Sequence, residues 1–131
     1  MTKNMLICGG AGYIGSSFLS YLKNKDFNLV VVDNLSTGHF MSHSLPFYQC
    51  DIGDSKKLIE IMKKHEINVV FHFCAFLEVG ESVRDPLKYY ENNIAKGIGL
   101  LRACISSGIN YFVFSSSAAV YGEPIYSPID E

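Results

Sequence analysis

The sequence predicts an α/β fold, a parallel sheet wound on both faces by helices. Three observations predict it. Short apolar runs alternate with amphipathic stretches along all 131 residues. The runs are apolar at consecutive positions, as strands buried on both faces must be. The first run passes into a helical stretch through a glycine-rich turn, Gly9-Gly10-Ala11-Gly12-Tyr13-Ile14-Gly15.

Each element has its own signal. Met5 to Cys8 reads as a strand and Gly12 to Lys25 as the helix that follows it. Asn28 to Asp33 is a β-branched run bounded by polar residues, hence a buried strand. Pro46 to Cys50 is a third, shorter strand. Ser55 to His65 sets Leu58, Ile59, Ile61 and Met62 among lysines, a helix with one apolar face. Asn68 to Phe73 is a fourth strand. Asp85 to Ser107 is a long helical stretch, with Pro86 in its first turn and Gly108 as its stop. Asn110 to Ser115 is a fifth strand, and Gly122 to Glu131, with two prolines, is irregular. Right-handed crossovers make this a Rossmann-like, doubly wound sheet. One domain is expected over residues 1–131, cut short after its fifth strand, with a substrate-binding part lacking.

Composition narrows the function. Hydrophobic residues are 48% of the chain and charged residues 18%, which argues against disorder. Eleven Lys+Arg against 13 Asp+Glu give a net charge of −2, so neither nucleic acid nor an anionic membrane is an expected partner. No run approaches the roughly 18–20 apolar residues of a membrane span. Met1 to Asn4 leads into a short strand and not into the apolar region of a secretory signal. Cys8, Cys50, Cys74 and Cys104 are scattered and read as reduced thiols, which points to the cytoplasm. His72-x-Cys74 and His39-x-x-x-His43 lack a second pair of ligands, so no metal is expected.

The glycine turn carries the chemistry. It reads either as Gly10-x-Gly12-x-x-Gly15 or as Gly9-x-x-Gly12-x-x-Gly15. The first glycine permits the tight turn, Gly12 removes a Cβ from the path of a pyrophosphate, and Gly15 lets helix and strand pack closely. Phosphates would then meet free amides at a helix N-terminus. Asp33 ends the second strand about 20 residues on, where a carboxylate accepts hydrogen bonds from ribose hydroxyls. It would repel a 2′-phosphate, which favours NAD over NADP. Asp51-Ile52, at the end of the third strand, is either an adenine contact or a solvated loop.

With these motifs in view, the chain resembles the extended short-chain dehydrogenase/reductase family. The matching stretches are Gly9–Ser16, Val31–Gly38, Asp51–Ile52, Phe71–Ala75, Val79–Asn93 and Phe112–Gly122. The last two point to its sugar-nucleotide 4-epimerases. The resemblance implies NAD-dependent interconversion of UDP-glucose and UDP-galactose: hydride leaves C4 of the UDP-hexose and returns to the other face. It implies backbone contacts to the pyrophosphate from Tyr13 and Ile14. Asp33 and Asn34 would hold the adenosine ribose, and Asp51 with Ile52 the adenine. Phe73 and Ala75 would line the cofactor cleft, Asn92 would steady the cofactor, and Ser115 would sit at the nicotinamide end. Ser117 would be the active-site hydroxyl that shares the O4 hydrogen bond. A homodimer is the implied assembly, and an exposed sheet edge would in any case favour self-association.

Two features depart from the family pattern. The family's base is the Tyr of a Tyr-x-x-x-Lys pair, whose lysine lowers a pKa that is otherwise about 10. The match here is Tyr21–Lys25, in the first helix, and reads as chance. These residues alone are therefore expected to bind NAD without turning over sugar. Tyr121 reads as a packing or substrate-side residue. Leu77 stands where the family often has a lysine, so a contact to the nicotinamide ribose would be missing. The competing readings are another NAD-dependent nucleotide-sugar epimerase or dehydratase, and a non-catalytic NAD-binding module.

Overall fold

The computed structural model describes residues 3–39 and 44–130. Five parallel strands form one sheet in the order β3-β2-β1-β4-β5. They are β1 (Lys3–Cys8), β2 (Phe27–Asp33), β3 (Phe47–Gln49), β4 (Val69–His72) and β5 (Tyr111–Phe114). The chain winds outward from β1 to β3, returns to β4 on the other side of β1, and continues to β5. That reversal makes the gap between β1 and β4 the topological switch point.

The period-2 alternation of the strands sorts the core into two layers. Leu6, Cys8, Val30, Val32 and Val70 face α2 (Ser55–Lys64) and the last long helix, where they meet Leu58, Ile61, Met62, Leu100, Ala103 and Cys104. Met5, Ile7, Leu29, Val31 and Val69 face α1 (Tyr13–Leu22) and pack on Leu19 and Leu22. Both faces of β1, β2 and β4 are thereby covered, and these strands read as continuous apolar runs for that reason.

Helix ends follow local chemistry. The Asp54 carboxylate accepts the Lys57 amide at 3.1 Å and caps α2, whose last turn carries Lys63 and Lys64 toward the negative dipole end. Asp85 caps the next long helical stretch in the same way, with Pro86 at its first position. That stretch is continuous from Pro86 to Ser106 but not uniformly α. It runs as α4 (Pro86–Tyr89), a π-helical segment (Tyr90–Ala95) and α5 (Lys96–Ser106). Gly108, at φ +68°, ends it, and the Gly108 and Ile109 amides donate to the carbonyls of Ile105 and Cys104.

A short helix, α3 (Val79–Arg84), was not expected. It buries no residue, so it lacks the apolar stripe by which sequence periodicity finds a helix. A 3₁₀ turn, Ala118–Tyr121, follows β5. His43 of the His39-x-x-x-His43 pair lies outside the described residues.

Candidate functional site

The carboxyl ends of β1, β2, β4 and β5 converge at the switch point. Cys8 pairs with Val32 on one side and with His72 on the other, and His72 pairs with Phe114. The residues just past these positions therefore meet: Gly9, Asp33, Phe73 and Ser115.

The two ways of reading the glycine turn are resolved by what each glycine does. Gly9 takes φ +82°, in the left-handed region, and its amide donates to Val32 O at 2.8 Å. Gly9 is thus the turn glycine. Gly10 is a packing glycine, since a Cβ there would come within 2.5 Å of Val31 Cγ1. A Cβ on Gly15 would collide with the Gly9 carbonyl and with Gly10 Cα, so Gly15 sets the close approach of α1 to the turn. Gly12 is different. A Cβ there would meet only Gly9 O, at an ordinary 3.5 Å. Gly12 lines an open cleft, and protein packing does not require its missing side chain.

Asp33 locks this turn to β2. Its Oδ2 accepts the Ala11 amide at 2.9 Å and its Oδ1 accepts the Leu35 amide at 2.8 Å. Asp33 is 7% exposed, yet it borders the cleft. Two carboxylate oxygens offer about four acceptor sites, so this pairing leaves capacity for a ligand's hydroxyls.

The cleft is lined by Gly9, Gly12, Asp33, Asn34, Ile52, Phe73, Ala75 and Asn92, all expected from the sequence. Ser36, Thr37, Cys50, Cys74 and Phe76 also line it and were not singled out. Each is a chain neighbour of a flagged residue or lies within a few positions of one. A second cavity, of about 580 Å³, adjoins it at Phe73 and Ala75. Ile14, Leu77, Ser115 and Ser117 line that one, together with His72. Ser117 Oγ accepts the Ala119 amide at 3.1 Å and so caps the 3₁₀ turn. Tyr13, Gly15 and Asp51 border neither cavity. Tyr13 and Ile14 nonetheless begin α1, where helix geometry leaves backbone amides without intrahelical partners.

Two side chains from the π segment hold the loop after β4. Asn92 is buried, and its amide donates to Cys74 O at 2.9 Å. Asn93 pairs with Phe76 twice, donating to its carbonyl and accepting its amide, both at 2.9 Å. Asn92 thus steadies the wall of the cleft. Asn93, which the sequence did not single out, does the same one residue on.

Asp51 is a hub. Its Oδ2 accepts from Asn34 Nδ2 at 3.0 Å and from Lys96 Nζ at 2.8 Å, and its Oδ1 accepts the Gly53 amide at 2.8 Å. Partial burial raises the affinity of Asp51 for a proton, but the Lys96, Gly53 and Asn34 bonds outweigh it and hold the carboxyl below its usual range. Burial pushes the His72 imidazole down, against a bond from its own backbone, which favours the neutral ring where it borders the second cavity beside Phe114. Burial also pushes the Cys74 thiol up to about 12. All four cysteines are free thiols. The Tyr21–Lys25 match has no catalytic geometry, because the ammonium stands over the ring, 4.5 Å from its centre. Among the described residues no helix is long and apolar enough to cross a membrane, and no three His, Cys, Asp or Glu side chains form a group that could hold a metal ion.

Strand order, switch-point cleft and glycine turn define a Rossmann-type α/β unit. The model of the NAD dependent epimerase/dehydratase family matches residues 5–131, and the chain belongs to that family. It is 47% identical over 131 residues to a UDP-glucose 4-epimerase of Rhizobium leguminosarum bv. trifolii, an alignment that covers 98% of this chain and 40% of the relative. The crystal structure of UDP-glucose 4-epimerase from Brucella ovis in complex with NAD superposes with a TM-score of 0.89 at 44% identity, covering 99% of this chain and 40% of that one. The enzyme from Bifidobacterium longum, in complex with NAD+ and UDP, gives 0.88 at 31% identity, with 98% and 41% covered. The chain thus spans about 40% of the length of these relatives.

Proposed function

We propose that residues 1–131 are the NAD-holding domain of a UDP-hexose 4-epimerase, acting on the UDP-glucose/UDP-galactose pair of galactose metabolism. One observation carries the reading. Gly12 opens onto the switch-point cleft with room that the protein's own packing leaves unused, directly beside the carboxylate of Asp33. A pyrophosphate there would meet the amides of Tyr13 and Ile14 at the start of α1, with Gly9 and Gly15 shaping the turn. Asp33 and Asn34 would take the adenosine ribose, and Ile52 with the Asp51 turn the adenine. Phe73, Ala75 and Asn92 would form the wall between adenosine and nicotinamide, and Ser115 would stand at the nicotinamide end.

NAD, when bound, supplies reversible hydride removal from the hexose. The residues of this chain bind and orient. Ser117 lines the second cavity, which supports its role as the hydroxyl that holds the O4 hydrogen. The base lies outside the described geometry, since Tyr21 and Lys25 have no access to either cavity. Turnover therefore belongs to the whole protein, as does the homodimer that the family resemblance implies. The exposed Tyr111, Val113 and Phe114 of β5 support some further association. Four free thiols support a reducing compartment such as the cytoplasm.

Calorimetric titration with NAD and NADP tests the cofactor reading. Binding of NAD with clear preference over NADP is expected, and a flat NAD titration would overturn it. Interconversion of UDP-galactose and UDP-glucose by the whole protein tests the reaction.

A further inference from the structure

We propose that Lys96 is a positioning residue for the adenosine end of the cleft, whose ammonium fixes the Asp51 carboxylate and through it the turn that carries Ile52 into the cleft. The inference rests on the cleft's being the NAD site.

Three chain segments meet on the one carboxylate. Asn34, which lines the cleft beside Asp33, donates to Asp51 Oδ2 at 3.0 Å. The Gly53 amide donates to Oδ1 at 2.8 Å and closes the turn after β3. Lys96 reaches Oδ2 from the first residue of α5, at 2.8 Å. The lysine stem also lies on the turn itself, since a Cβ on Gly53 would stand 3.1 Å from Lys96 Cγ.

The reach of Lys96 depends on how α5 is seated. One helical turn on, Gly99 packs on the Gly53 turn in ordinary contact, where a Cβ would stand 3.5 Å from Gly53 Cα and 3.3 Å from Ser55 Oγ. Ser55 Oγ donates to Gly99 O at 2.9 Å and fastens the two helices there. The π segment Tyr90–Ala95 leads directly into α5, so the one helical stretch that places Asn92 against the loop after β4 also places Lys96 against Asp51.

Charge makes the contact more than a tether. The turns after β2 and β3 hold two carboxylates, Asp33 and Asp51, and both add to the burial that raises the Cys74 thiol. Lys57, on α2, donates instead to Gln49 O at 2.9 Å. Lys96 is therefore the cation that balances Asp51. Without it, Asn34 and the turn would be held by an unbalanced, half-buried carboxylate, free to reorient toward water.

The test is a set of titrations on the intact chain with Lys96→Met, Lys96→Arg, Asp51→Asn and the Lys96→Met/Asp51→Asn double variant. Lys96→Met is expected to weaken NAD about tenfold, as loss of one charge-assisted contact would. ADP should weaken by the same factor, while inorganic pyrophosphate, which uses only the glycine turn, should compete unchanged. Lys96→Arg should restore most of the affinity. In the Asp51→Asn background Lys96→Met should have little further effect, because both act through one carboxylate. Unchanged NAD affinity in Lys96→Met overturns the proposal. So does an equal loss for pyrophosphate, which would mark general loosening, or full additivity in the double variant. Failure of the unsubstituted chain to bind NAD would instead overturn the cofactor reading beneath it.

Discussion

The Ala11 amide donates to Asp33 Oδ2 at 2.9 Å, so the acid that ends β2 is a structural part of the turn that follows β1. The residue that would select the cofactor also builds the loop that would hold its phosphates.

Asp33→Ala should therefore fail in two measurable ways. Two part-buried amides lose their acceptor, which costs about 1 kcal/mol or more in chemical denaturation. NAD binding should weaken, and preference over NADP should relax. Titration of both dinucleotides against Asp33→Ala checks this, and an unchanged preference would remove Asp33 from cofactor selection.

Gly12→Ala and Gly15→Ala should separate binding from folding. At Gly15 the new methyl would collide with the Gly9 carbonyl, an overpacking cost of about 1–3 kcal/mol. At Gly12 the methyl meets nothing closer than 3.5 Å, so stability should stay within about 1 kcal/mol while NAD affinity drops. Melting curves paired with calorimetry distinguish the two.

Ser117→Ala, placed in the whole epimerase, should lower turnover by about a hundredfold, the scale of a lost proton-transfer partner. NAD occupancy should stay unchanged. A normal rate would assign Ser117 to capping the 3₁₀ turn alone.

His72 gives the stability a pH dependence. Its folded pKa is lowered by burial, so the ring stays neutral in the fold after the unfolded chain has begun to take up a proton. Stability is full above the unfolded value of about 6.5 and is lost as pH falls below it toward the folded value. Urea denaturation at several pH values should show this slope, and His72→Gln should flatten it.

Cys74 should resist alkylation at neutral pH, because burial holds its thiol near 12. Timed labelling with iodoacetamide, read by peptide mass, should show slow modification that accelerates on denaturation.

The fold was legible where residues are buried. β1, β2 and β4 announce themselves as apolar runs, and α2 as a stripe of Leu58, Ile61 and Met62 between lysines. Asp85-Pro86 and Gly108 mark the ends of the long helix because caps are made by local side chains and backbone angles. α3 escaped, since a helix that buries nothing leaves no period in the sequence. The π segment escaped for another reason. One extra residue per turn changes which side chains share a face but not their composition, so Asn93 and Lys96 gave no signal. At the site, the glycines and Asp33 could be read from a spacing that physical chemistry enforces, whereas Phe73 and Ala75 after β4 followed only from the family resemblance. The links of Asp51 to Lys96 and of Asn92 to Cys74 join residues 45 and 18 positions apart, and only the packed helix brings them together.

The bond between Ala11 and Asp33 closes over 22 residues, from the turn after β1 through α1 to the end of β2. A loop that short is closed at small entropic cost, and contacts local in sequence assemble early. Synthesis delivers this unit before β4 and β5. The turn that would hold phosphates and ribose can thus form while β4 and β5 are still unmade, and the later strands dock against it to close the cleft.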